Sequence, residues 1–554
     1  MAAVLPDPFY YLENFRHVLA WVGARHADLL APPEQDLIAR FHALPRAAQA
    51  LLVRMVMRKG ELFRHSKLVY AELGEIAPLA APLAEAGLID AEPALPLEAL
   101  FGLLRKEELL AIFRDRLARD GSTAWARSAR KEDLLAHLAA HFPTAQTLRE
   151  WHAPWSEPVY RLQHGEVYDR LRLLFFGNLY QDWSEFVLTD LGLLTYETVE
   201  IPPEARAFQT RADVDDYLML HALRERLEAG EDPRSVGADV PVAPHPNPWL
   251  EERRARLLFH LGQALEKEKD WPAALALYRQ STWPEARLRR VRVLELNGEP
   301  ADALALAEAI LASAPREEEA QQLARMLPRL RRTLGLPKAP TETLQTPEPL
   351  TFTLAADTES SVEWRLAAHL HTDDAPVFYV ENALINSLFG LLCWPAIFAP
   401  VPGAFFHAFH YGPVDLHHPE FHSRREEYFA ECLGQLEDGT YREAILATSR
   451  EKQGRQSPFV FWEALDEALL GVALDCIPTA HLKVLFARLL ADLRNNRSGF
   501  PDLVQFWPGK RRYQMIEVKG PGDRLQDNQV RWLDYCLQHD IPVAVAHVRW
   551  TESA

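Results

Sequence analysis

Apolar residues recur at helical spacing through most of the chain and switch to strand-like runs only near its end. In YYLENFRHVLAWVGARH, Phe15, Val18, Leu19 and Val22 fall on one face of a helix. Pro32-Pro33 breaks the chain, and EQDLIARFHAL, AQALLVRMVMRKGELF and RHSKLVYAELGEI continue the helical pattern to about residue 90. From Leu95 to about Pro143 the pattern predicts two short amphipathic helices, LEALFGLLRKEELLAIFRDRL and ARKEDLLAHLAAHF, joined through a polar stretch with Gly121. Both carry Lys-Glu-(Glu/Asp)-Leu-Leu, at Lys106 and at Lys131. Basic residues at two helix starts suit a phosphate backbone, although a helical hairpin with solvated charged faces is the simpler account of them.

Helical patterning continues from about 144 to 235, with FFGNLYQDWSEFVLTDLG in the middle, up to the proline-rich break VPVAPHPNPW. In the Ala/Leu/Arg-rich stretch 250–330, AALAL at 273–277 returns as DALAL at 302–306. This 29-residue offset predicts stacked helical hairpins, loosely like tetratricopeptide units of about 34 residues. LPKAPTETLQTPEPLT, 336–351, is the clearest linker, and a helix is expected from about Glu381 in VENALINSLFGLLCWPAIF. Strand patterns dominate only after Phe500: DLVQFW, a Pro508-Gly509 turn, YQMIEVK, a helix from about Gln526 to His539, and PVAVAHV.

A chain of 554 residues is too long for one hydrophobic core, since cores stop growing at roughly 250–300 residues. With 48% hydrophobic and 25% charged residues it reads as a multidomain globular protein. No apolar run approaches the roughly 20 residues of a membrane span. MAAVLPDPFYYLENF lacks a signal-peptide pattern, and the four cysteines form no CxxC pair. A reducing cytoplasm is the expected location. Phosphate loops of the GxGxxG or Walker type are missing, so no nucleotide cofactor is indicated. The net charge of -18 opposes a nucleic-acid partner. Yet His481–Ala554 holds eleven Lys/Arg against eight Asp/Glu, a net of +3, leaving -21 on the remainder.

The chemistry concentrates there. Two β-prone runs joined by Pro508-Gly509 predict a hairpin with Asp502 at the mouth of its first strand. Glu517 and Lys519, two apart, project from one face of its second. Two carboxylates and the Val518 carbonyl are hard oxygen ligands of the kind Mg²⁺ or Mn²⁺ takes. Such a cation would polarise a phosphodiester and lower the pKa of a bound water, with Lys519 placed to position that water or stabilise transition-state charge. An exposed Glu–Lys pair on an edge strand is the plainer alternative. HAFHYGPVDLHHPEFH holds five histidines, His407 to His422, at irregular spacing among aromatic residues, which reads as packing and surface histidines.

PDLV…IEVKGPGDRLQDNQVRWL resembles the VRR-NUC branch of the PD-(D/E)xK nucleases. YYLENF, VRMVMRKGELFRHSKLVY, FGLLCWPAIF, SRR and RSGFPDLV extend the resemblance along nearly the whole chain to the Fanconi-anaemia-associated nucleases. That resemblance implies a mostly α, multidomain architecture with a C-terminal α/β PD-(D/E)xK nuclease domain. The boundaries expected are 1–90 for a helical DNA-binding region and 91–145 for an SAP-like element. A tetratricopeptide-like domain with linker follows over 146–350, and the nuclease domain over 371–554. It implies a structure-specific 5′-flap endonuclease and 5′-to-3′ exonuclease of interstrand crosslink repair, acting on branched or flapped duplex DNA with a 5′ end. Without the eukaryotic zinc finger, the chain resembles the bacterial members. Site residues carried over are Asp502, Glu517 and Lys519, with Glu381 as an acidic residue on the domain's first helix and Gln529 as a weaker match that orients Lys519 or a metal water. Arg494 and Arg497 before the hairpin, and Arg58, Lys59 and Lys67 near the N-terminus, match DNA-contacting segments. Asn528 stands where a lysine of the eukaryotic 5′-phosphate pocket is found. A junction-resolving or restriction-type nuclease and a non-catalytic DNA-binding scaffold are the competing readings.

Overall fold

The computed structural model describes residues 7–154, 157–181, 194–338, 344–355, 360–407 and 410–551. The chain divides into two compact units, one up to Leu193 and one from Leu194. In the first, helices Tyr10–Arg25, Pro32–Ala43, Arg46–Val56 and Gly165–Phe176 are the main elements. The Pro32-Pro33 pair opens its helix, where missing N–H groups cost nothing.

The first unit also holds a small antiparallel sheet that the hydrophobic pattern does not announce. Its strands are β1 (Leu62–Arg64), β2 (Ile89–Asp90) and β3 (Val159–Leu162), in the order β1-β3-β2. Two to four residues are too few for alternation to show. The Arg64 guanidinium ties β1 to Glu108 at 2.8 Å and Glu157 at 2.7 Å. The first predicted amphipathic helix is broken in three, Leu97–Leu103, Lys106–Ile112 and Arg114–Arg119, while the second forms as Lys131–Ala139. The first break falls at Leu104–Arg105, where the Arg105 N–H donates to the Glu108 carboxylate at 2.7 Å, and the second at Phe113. The paired lysines serve this fold: Lys106 donates to the Arg127 carbonyl at 2.8 Å, and Lys131 to the Leu104 carbonyl at 2.7 Å. Part of FFGNLYQDWSEFVLTDLG lies outside the described residues; its beginning ends the helix Gly165–Phe176.

The second unit opens with helix Arg211–Glu228 and a run of antiparallel helices, Pro248–Lys267, Trp271–Gln280, Ala286–Leu296, Pro300–Ala312 and Glu317–Thr333. The repeated AALAL and DALAL motifs supply Ala274 and Leu275 of Trp271–Gln280 and Ala303 and Leu304 of Pro300–Ala312 to one buried apolar cluster with Tyr278, Val291 and Leu323. Gly262 permits close approach there, since a Cβ would lie 2.6 Å from the Tyr278 ring.

The C-terminal domain is a five-stranded mixed sheet, β4 (Pro349–Leu354), β5 (Val377–Tyr379), β6 (Leu503–Trp507), β7 (Arg512–Lys519) and β8 (Val543–Trp550), in the order β4-β8-β7-β6-β5. β6 and β7 form the predicted hairpin, and β7 runs parallel to β8. β4 and β5 are additions to the sequence reading. Because all of β4 pairs with Val545–Trp550 of β8 and helix Val362–Leu370 packs on the sheet, this domain begins before residue 371. One face of the sheet, with Leu503, Ile516 and Val518, packs on Leu366 and Ala367 of that helix. The other, with Val504, Phe506 and Met515, joins the large core built by Leu384–Leu392, Glu467–Cys476, Thr479–Ala491 and Asp527–Gln538.

Candidate active site

The β6–β7 register pairs Leu503 with Ile516. One residue further, at the end of the ladder, it sets Asp502 opposite Glu517. Beyond Leu503 the Asp502 carboxylate takes the place of a ladder acceptor, accepting the Val518 N–H at 2.8 Å. The Asp502 carbonyl in turn accepts the Val380 N–H at 2.8 Å, fixing the end of β5 beside it. Alternation along β7 places Glu517 and Lys519 on the same side as Met515, and Lys519 Nζ lies 2.6 Å from Glu517 Oε1.

All three side chains are withdrawn from solvent: Asp502 is 8% exposed, Glu517 1% and Lys519 7%. Lys519 is the cationic partner of Glu517 Oε1, and Glu517 Oε2 is buried with no hydrogen-bond donor. A buried carboxylate in that state is costly. Burial, followed by the charge of Asp502, pushes the Glu517 carboxyl up to about 7, against the pull of Lys519. Burial pushes Asp502 up to about 6, while the Val518 N–H and Lys519 favour its charge. Glu381 adds repulsion to both.

Glu381 does not sit on the domain's first helix, as the sequence reading had it. It occupies the turn between β5 and the helix Leu384–Leu392, because Asn382 takes a left-handed conformation (φ 55°) and breaks the helix early. Its carboxylate accepts the Tyr379 hydroxyl at 2.5 Å. The first helix of the domain is Val362–Leu370, capped by the Ser361 hydroxyl. Its first turn carries Glu363, whose charge also acts on Asp502 and Tyr379. Sequence reasoning passed over Glu363. The signal was Ser361 three residues before Trp364, a helix start whose acidic second position faces the sheet end.

The remaining candidates have other partners. Gln529 Oε1 accepts the Gln526 N–H at 2.8 Å and is spent on capping its own helix rather than on Lys519. Arg494 pairs with Glu285 at 2.6 Å and lies over the Trp283 ring. Arg497 is half-buried, donates to the Pro458 carbonyl and lies 4.6 Å from the Phe459 ring. Both arginines thus point to protein partners. In the first unit, Arg58, Lys59 and Lys67 are exposed, and Arg58 donates to the Lys67 carbonyl at 3.0 Å, which gathers that basic patch. Among the histidines, His407 and His410 stack at 4.1 Å, burial pushing His410 down to about 4. The His422 ring lies 5.5 Å from Phe429.

The donor set fits a hard divalent cation. Among the described residues no three His, Cys, Asp or Glu side chains form a closed cluster. What exists is an open set: two convergent carboxylates, one of them with a buried oxygen that has no donor, and the Val518 backbone between them. Mg²⁺ is typically bound by one or two carboxylates and completed by water and phosphate oxygens.

Family models match three stretches: a FAN1 HTH domain over residues 9–90, a Fanconi anemia-associated nuclease SAP domain over 94–151, and a VRR-NUC domain over 436–550. The last contains Asp502, Glu517, Lys519 and Gln529 but neither Glu363 nor Glu381. The chain is 54% identical over 547 residues to a Fanconi-associated nuclease 1 homolog of Pseudomonas aeruginosa, covering 99% of this chain and 97% of that one. It is 25% identical over 611 residues to a homolog of Oryza sativa, covering 98% of this chain and 63% of that one. A crystal structure of paFAN1 bound to 5′-flap DNA with a 2-nt flap and a gap superposes with a TM-score of 0.89 at 54% identity, covering 100% of both chains. A buried carboxylate–lysine site at the end of a mixed sheet, in a chain whose N-terminal residues match HTH and SAP models, accords with these matches, and the chain belongs to the Fanconi-associated nuclease 1 family.

Proposed function

We propose that this DNA nuclease is a divalent-metal-dependent, structure-specific enzyme that cuts flapped duplexes carrying a 5′ end. In this reading it acts as a 5′-flap endonuclease and 5′-to-3′ exonuclease in interstrand crosslink repair. The observation that carries the reading is the Glu517 carboxylate, 1% exposed, opposite Asp502, with Oε1 2.6 Å from Lys519 Nζ and Oε2 buried without a donor. The full-length likeness to a protein solved on 5′-flap DNA supports the substrate.

Asp502, Glu517 and the Val518 carbonyl would hold Mg²⁺ or Mn²⁺, with Glu381 joining directly or through water. The bound cation would supply charge for the scissile phosphate and acidify its water. The protein does the rest. The Val518 N–H orients Asp502 in one rotamer. Lys519, held at Glu517 in a water-poor site, places a positive charge where negative charge develops on the phosphate oxygens. Arg58, Lys59 and Lys67 offer an exposed cationic surface for backbone phosphates.

The test is cleavage of end-labelled flap, nicked and four-way DNA with Mg²⁺, Mn²⁺ or chelator, for the wild type and Asp502→Asn. Metal-dependent cleavage of the flap by the wild type alone is expected. Preference for the four-way junction would overturn the substrate, and equal activity of the variant would overturn the site.

A further inference from the structure

We propose that Arg325, on a helix of the hairpin region, is a positioning residue for the nuclease centre and acts through the N-terminus of helix Asp527–Gln538. The inference rests on Asp502, Glu517 and Lys519 being that centre.

Helix Glu317–Thr333 presents Glu317, Gln321 and Arg325 at intervals of four, a single stripe along its surface. Each meets one residue of the nuclease domain. Glu317 accepts from Arg488 at 2.5 Å, Gln321 accepts from Arg531 at 2.5 Å, and Arg325 grips Asp527 with both Nη atoms, Nη1 at 2.6 Å. Asp527 and Arg531 are themselves four apart, so two rungs land on one face of the terminal helix. The third partner, Arg488, is wedged against that helix: its guanidinium lies 4.6 Å from the Trp532 ring and 4.1 Å from the Tyr535 ring. The apolar cores of the hairpin region and the nuclease domain are separate clusters, so these rungs form a polar seam between them. A polar seam tolerates relative motion where an apolar one would not.

The gripped end of the helix touches both arms of the site. On one side, the loop from Gly520 to Gln526 joins it directly to Lys519. On the other, Asn528 donates to the Ser498 hydroxyl at 3.2 Å and Trp532 donates to the Ser498 carbonyl at 3.1 Å. The Phe500 and Trp532 rings lie 4.0 Å apart, two residues before Asp502. A shift of the helix start therefore moves the strand end bearing Asp502 and the loop leaving Lys519 together. Arg325 and Asp527 are half exposed, 58% and 51%, and such pairs add little stability. A planar fork on a carboxylate fixes geometry, and geometry is what a catalytic constellation needs.

The experiment compares wild type, Arg325→Ala, Asp527→Ala, Arg325→Lys and the exchange Arg325→Asp with Asp527→Arg, all in the full chain. Read-outs are the single-turnover cleavage rate of flap DNA in Mn²⁺, DNA affinity in Ca²⁺, and melting temperature. Each alanine variant is expected to lose about tenfold in rate, because small misplacements of catalytic groups are amplified. Affinity stays within about twofold and melting is unchanged, as for an exposed pair. Lys at 325 falls between, and the exchange recovers most of the rate. Unchanged rates in both alanine variants, a loss confined to affinity, or an exchange with no recovery would each overturn the proposal while wild-type cleavage persists. Failure of the wild type to cleave any flap would instead strike at the nuclease reading itself and take this inference with it.

Discussion

Asp502 accepts the Val518 N–H at 2.8 Å across the end of the β6–β7 pair, which makes one carboxylate both a ladder partner and a ligand candidate. The two roles separate by substitution. Asp502→Asn keeps an acceptor for that N–H, whereas Asp502→Ala leaves a buried donor unpaired at a cost of about 1–3 kcal/mol. Both are expected to lower cleavage by at least about 100-fold, since the charge is gone. Only the alanine variant should melt earlier. Equal melting temperatures would show that the Asp502–Val518 bond carries no structural weight.

The raised carboxyls of the site make stability depend on pH and on metal. Asp502 at about 6 and Glu517 at about 7 lie above their ordinary values of 3.8 and 4.5. Between those limits the native state holds protons that the unfolded chain releases. The stabilisation is full below about pH 4 and is lost as pH rises through about 7. A divalent cation replaces those protons, so its effect must grow over the same window. Melting with chelator and with Mn²⁺, at about pH 5.5 and about pH 8, should give the larger metal-induced rise at the higher pH. A rise of equal size at both would sink the argument. Glu517→Gln should melt higher than wild type near pH 8 in chelator, while cleaving nothing.

The hairpin was legible because its message is local: DLVQFW, Pro-Gly and YQMIEVK fix strand, turn and strand within twenty residues, and Glu517 and Lys519 share a face by parity alone. The helix Asp527–Gln538 was legible for the same reason. β4 and β5 were not, since three to six residues, one strand half exposed, give too little alternation, and their place is decided by pairing with β8 and β6. Glu363 escaped because its relation to Asp502 exists only after the fold brings together residues 139 positions apart. Arg497 shows the opposite case: a basic residue in a polar stretch resembles a phosphate contact, and only the fold shows the Phe459 ring and the Pro458 carbonyl beside it.

The basic residues of the first unit sort into two classes with different salt behaviour. Arg58, Lys59 and Lys67 are exposed, Arg58 meeting the Lys67 carbonyl of the same patch and Tyr70 beside it, whereas Lys106 and Lys131 are half-buried and tie separate segments together through backbone carbonyls. Each lost phosphate contact lowers the slope of log affinity against log salt by about 0.9. Replacing Arg58, Lys59 and Lys67 together by alanine is expected to flatten that slope by about 2 to 3. Lys131→Met should leave the slope unchanged and lower the melting temperature, because the Leu104 carbonyl loses its donor. Fluorescence anisotropy across a salt series checks both. A slope change with Lys131→Met, or none with the triple variant, would reassign the two classes.

Gly499 gives a backbone test of how the arm before Asp502 is held. Its φ is +94°, and a Cβ there would stand 2.9 Å from the Asn528 backbone carbon. An alanine meets both obstacles, the positive φ alone costing about 1–2 kcal/mol. The collision pushes the Ser498–Phe500 segment away from the start of helix Asp527–Gln538, and Asp502 follows two residues later. Gly499→Ala is expected to melt several degrees lower, at about 2–4 °C per kcal/mol for a domain of this size. It should also cleave about tenfold more slowly with DNA affinity intact, as misplacement of a catalytic group does. Gly509, in the hairpin turn, has nothing within 4 Å of its would-be Cβ. Gly509→Ala should therefore match wild type in all three measurements. If the two variants behave alike, the segment before Asp502 is not held by the close approach of Gly499 to Asn528.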